Sequence, residues 1–176
     1  MFKNPISLVP TNISLADGET NIGGILDMIR LIPVSQMSWD DSLISEGILS
    51  LNKINIDDNA NIINIDIAPD SGIFMEIMVI TENGSYWLQE ILFDIPKNNP
   101  SLSAWILQNC EVGFFVMLCT KNRESIILGG MEQPIRFLEE SGSPSNRAGQ
   151  NRRTWKLSGM VAHPAYFLST NYININ

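Results

Sequence analysis

Short stretches in which apolar and polar residues alternate constrain this chain more than any other feature. In the clearest stretch, Ile63, Ile65 and Ile67 are separated by Asn64 and Asp66. Successive side chains of a strand point to opposite faces, so a period of two predicts strands with one buried and one wet face. The chain also holds 25 Ile and 18 Asn. Ile packs well on pleated surfaces and Asn favours turns, which indicates short strands joined by Asn-rich turns.

One hairpin is predicted from its turn and its flanking runs. The run from Ile73 to Thr81 is apolar on both faces, so we expect a central strand. Asn83 and Gly84 follow, and both residues accept the positive φ that a type I′ turn requires. The segment from Tyr86 to Ile95 then returns antiparallel. Its expected buried face carries Trp87, Ile91, Phe93 and Ile95.

A helix is expected over residues 101–109. Ser101 can cap it, and Leu102, Trp105 and Ile106 share one face at helical spacing. The predicted fold class is therefore mainly β (α+β). We expect an antiparallel β-sandwich or barrel with one short helix and with arm and loop insertions.

The length of 176 residues predicts a single domain over residues 1–176. Residues 1–21 are expected to form an extended N-terminal arm, and residues 139–153 a long loop rich in Ser, Gly, Asn and Arg. The first residues lack the pattern of a signal peptide, and no apolar run approaches the length of a membrane span. We expect a protein made in the cytoplasm, without a membrane partner.

Charge is sparse and unevenly placed. Only 17% of residues are charged and the net charge is −8, which argues against a disordered chain and a basic nucleic-acid module. Residues 1–94 hold 14 acids and 3 bases (net −11), whereas residues 95–176 hold 5 acids and 8 bases (net +3). A bipolar chain can pair head to tail with its neighbours. A fold whose two faces differ by chance is the alternative.

No pattern in the sequence predicts catalysis. His163 is the only histidine, and a structural hydrogen-bonding role is the favoured interpretation. Residues 57–61 resemble the start of a calcium loop but lack its later Gly and Glu, so a solvated turn is favoured. We expect no enzymatic activity, no catalytic or metal-binding residues and no cofactor.

The candidate subunit contacts are aromatic and basic residues for which no catalytic or metal-binding role is predicted. Trp39 stands in a polar stretch and is expected to be exposed at an interface. A basic cluster lies in or beside the long loop and could contact an acidic neighbouring subunit, phosphates or solvent. Its members are Arg147, Arg152, Arg153 and Lys156.

The region from Trp87 to Phe167 also carries an ordered series of motifs. A strand leads into a Pro-x-Asn-x-Pro segment and a helix, and the later motifs follow in a fixed order. They are Pro96, Asn98 and Pro100; Gly129-Gly130; Gln133 to Phe137; Asn151 to Arg153; Trp155 to Gly159; and His163 to Phe167, with Leu31 to Ser35 fitting near the start.

This order resembles a family of neck or tail structural proteins from tailed phages and prophages of gut Bacteroidetes, including crAss-like phages. The resemblance covers roughly half of the chain and implies a virion component that assembles as a ring or tube without enzymatic activity. The expected function is a virion structural protein that forms a homo-oligomeric ring in the head-to-tail connector or tail.

The resemblance also implies the partners and the location. The partners would be copies of the chain itself, adjacent portal, neck or tail proteins, and DNA that passes through the lumen without sequence-specific binding. The location would be the virion, after assembly in the bacterial host cytoplasm. A monomeric β-rich protein-binding module and a small phage-encoded hydrolase are the alternatives.

Overall fold

The structure is a computed structural model that describes residues 24–40, 44, 47–96, 100–121, 123–138 and 152–169. The helices that it describes are too short to span a membrane. Its helix is α1 (Pro100–Gln108). Its strands are β1 (Ile25–Pro33), β2 (Met37–Ser38), β3 (Ile48–Leu49), β4 (Asn55–Ile56), β5 (Ile63–Asp66), β6 (Ile73–Thr81), β7 (Gly84–Pro96), β8 (Phe114–Thr120), β9 (Ser125–Leu128), β10 (Arg136–Leu138), β11 (Arg152–Val161) and β12 (Tyr166–Leu168).

The strands form two main sheets and a small pair. The larger sheet has six strands in the order β3-β12-β9-β8-β1-β5, and the smaller has four in the order β10-β11-β7-β6. Strands β2 and β4 pair separately. Every neighbouring pair is antiparallel except β12 and β3, which are parallel. The prediction of a mainly β fold with one short helix is confirmed.

The two main sheets enclose one hydrophobic core, so the architecture is a β-sandwich. Phe114, Val116 and Leu118 of β8 face this core from the six-stranded sheet, and Phe93 of β7 and Trp155 of β11 face it from the four-stranded sheet. Successive side chains of a strand point to opposite faces, which places these residues on the same face of their strands. The core therefore follows from period-two strands stacked face to face.

The six-stranded sheet is buried on its second face as well. Phe115, Met117 and Cys119 of β8 lie in a separate hydrophobic cluster with Met37 and Trp39. The residues of β2, β4 and their connections cover this face, with Ile44, Ile54, Ile56 and Ile62 packed against the cluster. Because each of its faces is covered, strand β8 carries apolar side chains on both.

Strand β6 is also apolar on both faces, but it lies at the edge of a sheet, whereas β8 lies between two layers. It pairs with β7 alone in the described residues and forms one edge of the four-stranded sheet. The prediction of a central strand over Ile73–Thr81 is therefore wrong. Ile73 is 53%, Ile77 51% and Ile80 76% exposed. An apolar run predicts a strand, but its neighbours depend on the topology of the whole sheet and not on the run itself.

The hairpin between β6 and β7 is confirmed, with a different turn. Thr81 pairs with Gly84, so the two turn residues are Glu82 and Asn83. Gly84 has a φ of +129°, while Asn83 is not among the residues with positive φ. The predicted type I′ turn over Asn83 and Gly84 is therefore wrong by one residue, although it joins the predicted strands.

Helix α1 lies where the sequence predicts it. Ile106 is buried in the core, and Leu102 and Trp105 pack against it, so the predicted apolar face is confirmed. The helix begins at Pro100, which suits a first helical position because its missing N–H has no partner there. Ser101 therefore lies inside the first turn instead of capping it.

The predicted arm over residues 1–21 lies outside the described residues. So does most of the predicted loop, since residues 139–151 are not described. Arg152 and Arg153, which were assigned to the end of that loop, instead begin β11 and pair with Pro96 and Ile95 of β7. The loop prediction is wrong for these two residues, because the strand starts before the alternation around Trp155 becomes visible.

The double burial of β8 predicts a high cost for removing its side chains. We expect Leu118→Ala, at a fully buried position, to lower the free energy of unfolding by about 3–5 kcal/mol through lost packing and a residual cavity. Leu107→Ala, on the exposed side of α1, is the matched control and should change it by less than about 0.5 kcal/mol. Urea denaturation followed by circular dichroism measures both, and equal effects would contradict this account of the core.

Candidate functional site

The four-stranded sheet has one face against the core and one face that the described residues leave uncovered. Residues that are directly opposite on neighbouring strands share a face. Ile73 pairs with Leu92, which pairs with Lys156, which pairs with Leu138. We call the central part of this side, between the pairs Val79–Tyr86 and Asp94–Thr154 that flank it, the outer sheet face. Its members are Ile73, Met75 and Ile77 of β6; Leu88, Glu90 and Leu92 of β7; Lys156, Ser158 and Met160 of β11; and Arg136 and Leu138 of β10.

The outer sheet face is unusually apolar for a surface in contact with water. Seven of its eleven members are Ile, Leu or Met. Large parts of Ile73, Ile77, Leu138 and Met160 are exposed. Single exposed apolar residues are ordinary, but a contiguous apolar patch marks an interaction surface. The arrangement suits the binding of another protein surface.

An ion pair lies in the middle of this face. The Nζ atom of Lys156 lies 2.7 Å from Oε1 of Glu90, and both side chains are mostly buried by their neighbours. The hydroxyl of Ser158 donates to the same carboxylate oxygen at 3.3 Å. Because the two charges offset each other locally, the face can be covered without leaving either charge isolated.

Strand β6 ends this face, and no described strand pairs with its outer edge. Natural proteins usually protect an edge with Pro, Lys, a bulge or a short strand. β6 is nine residues long and contains neither Pro nor Lys. Its single charged side chain, Glu76, accepts hydrogen bonds within the chain from the Gln89 side chain and the Ala165 amide. Within the part of the chain that the structure describes, this edge is therefore unpaired and can accept another strand.

The two halves of the four-stranded sheet carry opposite charges. The hairpin formed by β6 and β7 contains four acids and no base, at Glu76, Glu82, Glu90 and Asp94. Strands β10 and β11 contain four bases and no acid, at Arg136, Arg152, Arg153 and Lys156. The bipolar charge of the sequence therefore reappears across a single sheet.

A buried glutamine ties this sheet to its surroundings. Gln89 is 0% exposed, and its Oε1 accepts from the Gly129 amide at 3.0 Å. Its Nε2 donates to Glu76 at 2.9 Å and lies 3.4 Å from the carbonyl of His163. A fully buried amide is tolerated because its donors and acceptor are all satisfied. Gln89 thus fixes the turns at Gly129 and His163 relative to β7.

These turns border a cleft of about 330 Å³. The ring of His163 stacks on Tyr166 at 4.3 Å, and its Nδ1 lies 2.8 Å from the carbonyl oxygen of Pro164. Nδ1 therefore carries the proton and donates to that carbonyl. A backbone carbonyl therefore orients the His163 ring. The cleft is lined by Trp39, Gly130, Met131, Glu132, Gln133, Ala162 and His163.

The predicted contact residues fall in different places. Trp39 is only 8% exposed and packs on Phe115 with ring centroids 4.5 Å apart, so the prediction of an exposed tryptophan is wrong. Its polar sequence neighbours did not show that it fills the second hydrophobic cluster. Arg147 lies outside the described residues. Arg152, Arg153 and Lys156 lie along β11, and Lys156 is engaged by Glu90.

The surroundings of Cys119 and Asp70 shift the pKa values of these two side chains. Burial raises the pKa of the Cys119 thiol, with a smaller opposing effect from a hydrogen bond to Ser125. The hydrogen bond and charge of Lys121 lower the pKa of Asp70, which stands in a turn with a positive φ. Among the described residues, no three His, Cys, Asp or Glu side chains are grouped to hold a metal ion.

Sequence reasoning missed the outer sheet face and Gln89. The run around Ile77 predicted burial, and nothing in the run itself distinguishes a central strand from an edge strand. Gln89 could have been found, because it occupies the same alternating face as Ile91 and Phe93. A lone amide in such a series indicates a buried polar contact.

No family model, curated protein or solved structure matches this chain.

The contacts of Gln89 predict a measurable stability effect. Gln89→Leu should lower the free energy of unfolding by about 1–3 kcal/mol, because it leaves the buried Gly129 amide without its acceptor. Gln108→Leu, on the exposed surface of α1, is the matched control and should change it by less than about 0.5 kcal/mol. Urea denaturation measures the free energy of unfolding of both variants. An unchanged value for Gln89→Leu would contradict a stabilising role of these hydrogen bonds.

The two cysteines predict distinct thiol reactivities. Cys119 is fully buried and its pKa is raised, so both access and thiolate formation are disfavoured. Cys110 is partly exposed. We expect one equivalent of thiol to react with Ellman's reagent in the folded protein at pH 8 and two in guanidinium chloride. Rapid reaction of both thiols without denaturant would contradict the burial of Cys119.

Proposed function

We propose that this protein is a virion structural protein of a tailed bacteriophage whose copies form a closed ring in the head-to-tail connector or tail. The proposal is supported by the apolar outer sheet face, which ends at the edge of β6 that no described strand covers. A chain that exposes such a surface gains free energy when a neighbouring subunit removes it from water. Contacts of this kind close into a ring when each copy binds the next through a fixed rotation.

The composition agrees with such an assembly. Few charges are needed on a surface that neighbouring subunits cover, and charged residues make up only 17% of this chain. The net charge of −8 also suits a ring around DNA, because an acidic wall does not retain passing phosphates. The resemblance of residues 87–167 to phage neck and tail proteins supports the same assembly class.

A monomeric β-rich protein-binding module is the second candidate. The open edge of β6 could accept a strand from a different protein, as other sheet edges do in peptide recognition. The two candidates differ in what the purified protein does alone. A ring protein assembles with itself, whereas a module remains a monomer until its partner is added.

The oligomeric state tests the proposal directly. Native mass spectrometry and negative-stain electron microscopy of the full chain should show one defined ring stoichiometry and annular particles. A protein that stays monomeric up to millimolar concentration would overturn the ring and favour the module.

A substitution on β6 tests whether this face makes the contact. Ile77→Lys should raise the concentration needed for half-assembly at least tenfold, because it places a charge in an apolar interface. Leu107→Lys on α1 is the matched control, since the two native side chains are 51% and 53% exposed. Analytical ultracentrifugation measures both variants, and circular dichroism confirms that they fold. Equal assembly of the two variants would remove the outer sheet face from the contact.

A further inference from the structure

We infer that residues 6–15 of one copy, which we call the arm strand, add to the outer edge of β6 in the neighbouring copy. This inference rests on the proposed ring and names the contact that joins its subunits. Two features of the chain support it. Strand β6 exposes apolar side chains that a strand beside it would cover, and the chain that precedes β1 enters the described residues at the start of β6.

The outer edge of β6 offers both backbone groups and apolar side chains. Alternate residues of an edge strand direct their N–H and C=O groups away from the partner strand, and no described backbone hydrogen bond reaches β6 except those from β7. Ile73 and Ile77 are exposed on the outer sheet face, while Met78 and Ile80 are 48% and 76% exposed on the opposite face. A surface laid over one face leaves the other in water, whereas a strand beside β6 contacts both.

The arm strand has a matching sequence. It contains no charged residue, and its five large aliphatic side chains divide between the two faces of an extended segment. They are Ile6 and Leu8 on one face and Val9, Ile13 and Leu15 on the other. Pro10 is compatible with this position, because an added strand becomes the new edge of the sheet, where proline is tolerated and hinders the pairing of a further strand.

The point where the arm joins the fold lies at the beginning of β6. The Ile25 amide donates to the Gly72 carbonyl at 3.3 Å, and β6 begins at the residue after Gly72. Residues 16–24 connect this point to the arm strand. Their sequence, Ala-Asp-Gly-Glu-Thr-Asn-Ile-Gly-Gly, has the polar, Gly-containing composition of a flexible linker.

The length of this linker favours the neighbouring copy over the chain's own β6. Nine extended residues span about 30 Å, and β6, with nine residues, has about the same length. A chain that ran back along its own β6 from Gly24 would therefore use the linker for the whole length of the strand. The arm strand would then lie beyond the far end of β6, where it can reach another copy.

Exchange of the arm strand gives a head-to-tail contact. Each copy donates its arm strand and accepts another at a different surface, so the contact is heterologous and closes into a ring when the rotation between copies permits. Main-chain hydrogen bonds along the edge supply affinity, and alternate side chains supply specificity. The alternative is that the linker folds back and the arm strand covers β6 of its own chain, which would leave the copies unconnected by the arm.

Cysteine scanning between two copies tests the exchange. One full-length copy carries Ile77→Cys on β6, and the other carries a single cysteine at one of the nine non-proline positions from 6 to 15. Both have a Cys110→Ser background that retains the buried Cys119. The two copies are co-expressed and oxidised with copper phenanthroline, and dimers are measured on non-reducing gels. A disulfide requires Cα atoms about 4.4–6.8 Å apart, so only arm positions close to Ile77 react.

The expected result is a dimer yield that peaks at one arm position and recurs two residues away, because every second side chain of a strand faces the same way. At the peak, the yield should exceed that of either variant alone by about tenfold or more. Leu107→Cys on α1, at 53% exposure against 51% for Ile77, replaces Ile77→Cys as the matched control and should give no peak. A chain that carries both cysteines of the best pair should yield multimers that end at the ring stoichiometry.

A charge substitution in the arm provides a second measurement. Ile13→Asp should raise the concentration needed for half-assembly about tenfold or more, because it places a charge in the apolar contact. Thr20→Asp in the linker adds the same charge outside the contact and should leave assembly unchanged. Analytical ultracentrifugation measures both variants, and equal assembly of the two would overturn the role of the arm strand.

The other outcomes separate the exchange from the ring. A disulfide that forms only inside a chain carrying both cysteines, with no dimer from any pair of variants, would show that the arm strand covers its own β6 and would overturn the exchange. Rings by electron microscopy without either cross-link would overturn the pairing with β6 and leave the proposed function standing. A protein that is monomeric under all conditions would overturn both.

Discussion

The burial of strand β8 on both faces is the constraint on which the rest of the structure depends. Phe114, Val116 and Leu118 face the sandwich core, while Phe115 and Met117 face the second hydrophobic cluster. A strand of this kind is stable only when a layer covers each face. The four-stranded sheet supplies one layer, and the segment that contains β2 and β4 supplies the other. The described residues therefore form three layers, and β8 lies in the middle one.

The four-stranded sheet is a layer with a single covered face. Its inner residues, such as Phe93 and Trp155, complete the core, but its outer residues have no layer beyond them among the described residues. The apolar character of the outer sheet face is not needed for the fold of one copy. It is accounted for if a neighbouring copy forms the next layer or extends the sheet. Fold and proposed assembly thus use opposite faces of the same strands.

Gln89 connects the edge strand β6 to the interior of the sandwich. It projects from β7 into the interior, where it binds Glu76 of β6 and the amide of Gly129 between β9 and β10. Glu76 in turn accepts from Ala165, just before β12. Through these bonds the edge strand β6 is held against the body of the sandwich. An edge that is fixed in this way is better prepared to receive another strand than a mobile one, because less conformational entropy is lost on binding.

From the sequence alone, the β class, the hairpin of β6 and β7, the helix near 101–109 and the inward face of β7 at Ile91, Phe93 and Ile95 could be predicted. These features are local, because period-two alternation and turn residues act over a few positions. The sequence also shows acids concentrated in residues 1–94 and bases in residues 95–176. The same separation appears between the hairpin of β6 and β7 and the strands β10 and β11.

Which apolar strands are central depends on contacts between segments that are distant in the chain. The runs at 73–81 and 114–120 look alike in sequence, yet β8 lies between two layers and β6 at an edge. The burial of Trp39 on Phe115 and the start of β11 at Arg152 also depend on such contacts. The physical reason is that burial depends on partners distant in the chain, whereas a sequence pattern records only the preference of a segment for some apolar partner.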